Sequence, residues 1–324
     1  MTLTAEEIFQ QAASTGFSAE TLEKVFRLLD LLTGIRSHPF LRTRVALKGG
    51  TALNLFGSKV PRLSVDIDLN YIASADREGM LADVSKVRQA VQAVCGRENI
   101  LVKRVPKDHA GGKWRLGFNR AQGGTGVLEL DVNFMLRTPL WEPRWRSSLA
   151  VGTRQAKDVL VLDDHELATG KLAAMMARCA PRDLFDARIL LAREDLDRAK
   201  LRAGFVAYGG MSRTDWRSIT VDNVTVEIRD VERELVPMLS VDTAPARVDI
   251  PAWTTKLISE CRDLMGALLP LEENEREFLD RLNDHGEIRP ELLSDDDGLR
   301  QVIASHPQLE WKALNVRQHR GLEQ

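Results

Sequence analysis

The sequence predicts an α/β (α+β) N-terminal domain with a mixed sheet, followed by a mostly helical C-terminal domain. Three observations carry this. Up to about residue 150, apolar runs of period two alternate with runs at helical spacing. Paired glycines, Gly111-Gly112 and Gly123-Gly124, punctuate the strand candidates as turns. From about residue 160 the spacing is almost entirely helical, so the boundary is placed between 158 and 159, giving domains 1–158 and 159–324.

The N-terminal half reads as helix, helix, strand, helix, strand. Leu22, Val25, Phe26 and Leu29 recur at helical spacing over Ser18–Leu32, with Ser18 as N-cap and Glu20 and Glu23 in the first turn. Strands follow near Val45 and Asp66, and a short helix is expected over Thr51–Phe56. Leu81, Val84, Val87, Val91 and Val94 predict a helix over Met80–Cys95. Leu101–Val105, Lys113–Asn119 and Val127–Phe134 are the remaining strand candidates. In the second half, Asp163 to Glu166 has capping-box spacing, with Asp163 at the N-cap. Ala168, Leu172, Met175, Met176 and Cys179 form an apolar stripe, Pro181 is expected to end that helix, and Arg182–Ala192 makes the next. The stretch 204–223 has no clear pattern. The tail from Lys256 to Gly321 is helical, with loops at Pro270, Pro290 and Pro307.

Bulk properties narrow the class. With 324 residues, 44% hydrophobic and 28% charged, the composition is that of an ordinary globular protein. A net charge of −2 gives no basic excess, so any nucleic-acid surface must gather its cations locally. Cys95, Cys179 and Cys261 lie far apart and read as reduced core residues of a cytoplasmic protein. The start, Met1-Thr2-Leu3-Thr4-Ala5-Glu6-Glu7, is acidic without an apolar segment, so no secretory signal is expected. No run reaches membrane-spanning length, which argues against a membrane partner. His109, His165, His285, His306 and His319 are scattered without metal-motif spacing. Gly49-Gly50 extends neither to a dinucleotide fingerprint nor to a P-loop.

The chemistry-bearing residues begin at Lys48-Gly49-Gly50-Thr51, followed by Arg62-Leu63-Ser64-Val65-Asp66-Ile67-Asp68. Alternate residues of a strand share a face about 7 Å apart, so Asp66 and Asp68 aim both carboxylates at one place while Val65, Ile67 and Leu69 go to the core. Hard divalent cations take carboxylate oxygens, and Mg²⁺ is held by one or two of them together with substrate phosphates. Gly49 and Gly50, just after Val45-Ala46-Leu47, let a backbone approach a phosphate. Asp131, on the alternating strand Val127–Phe134, offers a third carboxylate of the kind a two-metal site uses. Isolated aspartates at a strand end are also compatible with simple solvation; the glycines and Asp131 favour a nucleotide-plus-metal layout.

A second group lies downstream. Lys171 and Arg178 sit two turns apart on one flank of the first C-terminal helix, and Arg182-Asp183-Leu184-Phe185-Asp186 follows Pro181. A helical hairpin would bring Lys171 near Asp186 or Asp183. Charged residues on helices are more often solvated or weakly paired at the surface, which is the plainer reading of this group.

Together these motifs resemble the AbiEii/AbiGii nucleotidyltransferase toxins of abortive-infection and type IV toxin–antitoxin systems, within the polymerase-β-like superfamily. The resemblance rests on Gly-Gly-Thr, Arg-x-Ser-x-Asp-Ile-Asp-Leu, Lys-Leu-x-Ala and Arg-Asp-Leu-Phe-Asp, and less distinctly on His306-Pro307 with Trp311-Lys312. It implies a nucleotidyltransferase domain over 1–158, with the C-terminal domain supplying Lys171 and Asp186. It implies Mg²⁺ or Mn²⁺ on Asp66 and Asp68, triphosphate contacts from Gly50 and Thr51, and Ser64 at the metal site as a phosphorylation position. Lys171 would bind phosphates and Asp186, or alternatively Asp183, would complete the site. Lys48 and Arg62 are phosphate partners, while a metal role for Asp131 rests on strand pattern alone. The implied reaction moves NMP from an NTP to an RNA, with the tRNA 3′ end as acceptor, under control of an antitoxin encoded nearby. A kinase-like or small-molecule nucleotidyltransferase would use the same motifs, and an inactive binding module is the rival from another class.

Two basic runs bear on the acceptor. Arg137, Arg144, Arg146, Arg154 and Lys157, interleaved with Trp141 and Trp145, could track a phosphate backbone, or the tryptophans could anchor the domain junction. Arg188, Arg193, Arg198, Lys200 and Arg202 alternate with Glu194, Asp195 and Asp197 and read as a salt-bridged surface.

Overall fold

Ile67 and Leu69 are each 1% exposed in the computed structural model of the protein, and their burial sets which way β2 (Asp66–Tyr71) faces. The structure describes residues 3–57, 59–106 and 110–321; His109 and the Met1-Thr2 start lie outside them. β2 sits mid-sheet among β1 (Val45–Lys48), β3 (Leu101–Arg104), β4 (Gly111–Asn119), β5 (Thr125–Asn133), β6 (Arg144–Arg146) and β7 (Val159–Val161), in the order β3-β4-β5-β2-β1-β7-β6. β1 runs antiparallel to β2, whereas β2–β5 and β1–β7 are parallel, so the sheet is mixed.

The helices of this half follow from their ends. α1 (Ala5–Thr15) starts at a capping box between Thr4 and Glu7 and stops at Gly16 in the left-handed region. α2 (Ala19–Ser37) is capped by Ser18, and its apolar residues from Leu22 to Ile35 pack against α4 (Arg77–Arg97), β5 and β7. α3 (Gly49–Leu55) begins two residues before the expected Thr51, directly off the end of β1.

Backbone contacts divide the chain into two units. The sheet unit comprises 1–137, 143–162 and 235–244. The helical unit comprises 138–142, 163–234 and 245–324. The latter holds α5 (Asp164–Arg178), α6 (Pro181–Leu191), α7 (Arg198–Met211), the single turn α8 (Ile228–Asp230), α9 (Ile250–Met265), α10 (Glu273–Asp280), α11 (Asp297–Ala304) and α12 (Pro307–Arg320). Its core is built from α5 against α6 and α7, and α6 against α9.

Three local expectations are corrected here. α5 stops at Arg178 because Cys179 takes the left-handed conformation (φ 50°); Pro181 opens α6 at its first turn, where a missing N–H is harmless. Cys179 is consequently a half-buried cap and not a core residue, unlike Cys95 and Cys261. The patternless stretch from 204 contains the second half of α7. No described helix is long and apolar enough to cross a membrane.

Candidate active site

In the sheet unit, register turns the motif residues into a lateral row. Lys48 of β1 faces Asp68 of β2, Asp68 faces Asp131 of β5, and Asp131 faces Lys113 of β4. Cross-strand partners share a sheet face, so the row reads cation, acid, acid, cation. The next row sets Asp66 beside Glu129 and Glu129 beside Arg115. Lys113 Nζ lies 2.7 Å from Glu129 Oε2; that bond, and then the fields of Glu129, Asp66 and Asp68, hold its ammonium above the usual pKa against burial. Burial pushes the Asp131 carboxyl up, with Asp68 and Glu129 adding to the shift and Lys48 and Lys113 opposing it.

Gly49 and Gly50 close this strip at its β1 end. Gly49 has φ +71°, and a Cβ there would overlap Asp68 Oδ2 and stand 3.1 Å from Asp68 Cβ. No other residue reconciles that backbone conformation with so close an acid. A Cβ at Gly50 would stand 3.0 Å from both Arg62 Nη2 and Ser64 Oγ, so the buried guanidinium and hydroxyl converge on that peptide. Thr51 is fully buried, and its hydroxyl donates to the Asp66 carbonyl at 2.5 Å, tying α3 to β2. Asn54 Nδ2 donates to the Gly50 carbonyl at 2.8 Å.

Asp66 and Asp68 are both partly exposed. Among the described residues the Asp68 side chain makes no hydrogen bond or ion pair. The donor set fits a hard divalent cation: two carboxylates on one face, with the Gly49 backbone packed directly against Asp68. Three carboxylates do not gather, however. Among the described residues no group of three or more His, Cys, Asp and Glu is placed to hold a metal. Asp131 stands between Asp68 and Lys113 in its row, with Lys48 on the far side of Asp68, and the expected cage of Asp66, Asp68 and Asp131 is not preformed.

In the helical unit, the α5–α6 hairpin brings Lys171 to both candidate acids. Lys171 Nζ is 2.7 Å from Asp183 Oδ1 and 3.0 Å from Asp186 Oδ2, and all three side chains are buried. Arg178 adds Nε at 2.5 Å from Asp183 Oδ2 and Nη2 at 3.1 Å from Oδ1. Burial raises the Asp183 carboxyl, but Lys171 and Arg178 outweigh it and leave the group below its usual range. The solvated reading of this group gives way to a buried ion cluster, because the αL turn at Cys179 folds α6 back onto α5.

Glu166 also departs from expectation. Asp163 caps α5 through the His165 amide at 2.9 Å, and Glu166 does not return to the N-cap. Glu166 instead takes the Leu140 and Trp141 amides on Oε2 at 2.7 and 3.3 Å, and the Tyr208 hydroxyl on Oε1. Burial pushes its carboxyl up to about 7 in spite of these donors.

The first basic run does not stay together. Arg137 is buried and donates to the Ala75 carbonyl, Arg154 pairs with Asp30 at 3.0 Å, and Trp141 packs within the helical unit beside His165. Arg144, Arg146, Trp145 and Lys157 remain at or near the surface. The second run is paired as a salt-bridged surface would be: Arg188 with Glu260, Arg193 with Asp164 and Asp195, and Arg202 with Glu272 and Glu275. Glu129, Lys113 and Arg115 escaped the sequence reading. Their alternation along β4 and β5 was visible, but the register that aligns them with Asp66 and Asp68 was not.

A family model described as "Nucleotidyl transferase AbiEii toxin, Type IV TA system" matches residues 30–312. The solved structure of the nucleotidyltransferase toxin MenT4 from Mycobacterium tuberculosis H37Rv is similar at 18% identity, covering 97% of this chain and 99% of that one with a TM-score of 0.57. That likeness is one of fold. No curated protein matches the chain.

Proposed function

Because the chain belongs to the AbiEii family of nucleotidyltransferase toxins, we propose that it transfers NMP from an NTP to an RNA, at the 3′ end of a tRNA. Growth inhibition in the cytoplasm, through lost translation, and neutralisation by a cognate antitoxin encoded nearby belong to the same reading. The observation that carries it is the placement of Asp66 and Asp68 on one face, with the Gly49 backbone set against the open Asp68 carboxylate.

Asp66 and Asp68 would hold magnesium or manganese, two carboxylates and phosphate oxygens being an ordinary set for such an ion. When bound, the metal stabilises charge on the entering and leaving oxygens. Gly49 and Gly50 would bring the triphosphate-binding backbone up against Asp68, Arg62 and Ser64, and Lys48 and Arg62 would offset the phosphate charge. Thr51 and Ser64 act by position, the first fixing α3 on β2 and the second sitting beside Gly50. Asp131, directly beside Asp68 in the row, would add a third carboxylate next to the ion, its charge shared with Lys113. The RNA 3′-oxygen forms a bond to the α-phosphorus as the α–β bridging bond breaks. Pyrophosphate leaves with that electron pair, and the hydroxyl proton passes to water. Lys171 is a second required cation, its ammonium fixed by Asp183 and Asp186.

The test incubates purified protein with each labelled NTP, Mg²⁺ and either total RNA or a small-molecule pool. Label is expected on tRNA with the native chain and on nothing with Asp66→Ala. Labelling retained by Asp66→Ala would refute the site, and label confined to small molecules would replace the acceptor.

A further inference from the structure

Trp311 is 52% exposed on α12, and its indole makes no ring contact or hydrogen bond among the described residues. It borders a cleft of about 360 Å³. The cations lining it are Arg213, Lys312 and Arg320, the last paired with Asp284 at 3.0 Å, and no aspartate or glutamate lines the cleft itself. In a protein of net charge −2 this is a local reversal of sign. Arg213 is exposed and makes no hydrogen bond or ion pair among the described residues, while Lys312 is oriented by donating to the Ser212 carbonyl at 2.8 Å. Trp311, Asn315 and His319 recur at i, i+4 and i+8, so the indole, an amide and an imidazole line one stripe of the helix. The Asn315 Nδ2 donates to the Trp311 carbonyl at 2.6 Å, which leaves its side-chain oxygen available as an acceptor.

We propose that this face binds single-stranded polynucleotide, with one base stacked on Trp311 and the adjoining phosphates held by Arg213 and Lys312. A free indole face beside unpaired cations is the pairing that single strands use, because every base offers a π-face and every linkage an anion. A purely electrostatic partner such as an acidic peptide has no need of the indole. A duplex conceals its base faces. Binding at this face is independent of the transfer reaction; only the assignment of the strand as the acceptor rests on the function proposed above.

The experiment is fluorescence anisotropy of the full chain with a labelled, unstructured RNA about 12 nucleotides long, without NTP or metal, so a failed transfer assay leaves it untouched. The DNA counterpart, an RNA duplex and an acidic peptide of equal charge form the other arms. Trp311→Ala is expected to weaken RNA binding about tenfold. Arg213→Ala is expected to weaken it and to lower the slope of log K against log salt by about 0.7. Both residues are exposed, and circular dichroism of each variant confirms the fold. Matching losses with DNA would broaden the ligand to any single strand, and losses confined to RNA would restrict it. Binding unchanged in both variants, or a duplex or peptide bound as tightly as the single strand, would overturn the proposal.

Discussion

On the sheet, Asp68 makes no side-chain hydrogen bond among the described residues beside Gly49, whereas on the α5–α6 hairpin Asp183 has Lys171 and Arg178 on its two oxygens. The first acid is partly exposed and the second is buried. An acid in water needs no partner to remain ionised, so Asp68 can be left open for a ligand. A buried acid without a partner would neutralise or unfold its surroundings, so Asp183 has to be saturated. The two regions therefore divide the work differently. Removing an open charge should spare the fold and harm function, while removing a saturated one should harm the fold first.

The sharpest break comes from Asp68→Asn. Transfer is expected to fall about 10³-fold or more, with the melting temperature moving by less than about 2 °C. Paired radiolabel transfer and thermal melts check it, and a large drop in melting temperature would dissolve the contrast. Lys171→Ala tests the other side. It leaves Asp183 and Asp186 short of a buried cation and is expected to cost about 3–5 kcal/mol in urea denaturation. Unchanged stability would show that the hairpin does not depend on the cluster.

Glu166 sharpens the comparison as a buried acid whose hydrogen bonds come from neutral donors alone. Its carboxyl titrates near 7 in the folded chain against an ordinary value of 4.5. Between those values the folded state holds more protons than the unfolded one, so stability from this group falls as pH rises from about 4.5 to about 7. The span is worth on the order of 3 kcal/mol. Glu166→Gln should flatten that part of the stability profile, measured as urea midpoints across the pH range. Equal slopes in the two proteins would show that Glu166 is ionised throughout.

Much of this contrast was legible in the sequence, and the unread part has a common cause. Asp66-Ile67-Asp68 declares its two faces by alternation, and Ser18 declares the start of α2. Lys171 could be placed near Asp183 or Asp186 from helical spacing, but its burial could not, because the αL turn at Cys179 leaves no signal in a non-glycine residue. The Lys48–Asp68–Asp131–Lys113 row was hidden because register belongs to pairing between distant strands and not to any one of them. β6 and β7, at three residues each, are too short to show a period. Glu166 had the spacing of a cap and was claimed by the Leu140 and Trp141 amides and Tyr208 instead, a tertiary choice that overrides a local preference.

The parallel pairing of β2 with β5 has a consequence for the chain as it is made. The partners lie roughly sixty residues apart, a separation whose closure entropy delays the contact. While the ribosome has released β2 but not yet β5, both motif aspartates ride on a sheet edge with one flank missing. A nascent fragment ending before residue 125 would carry Gly49-Gly50-Thr51 and Asp66-Ile67-Asp68 and still lack the strand that holds them in place.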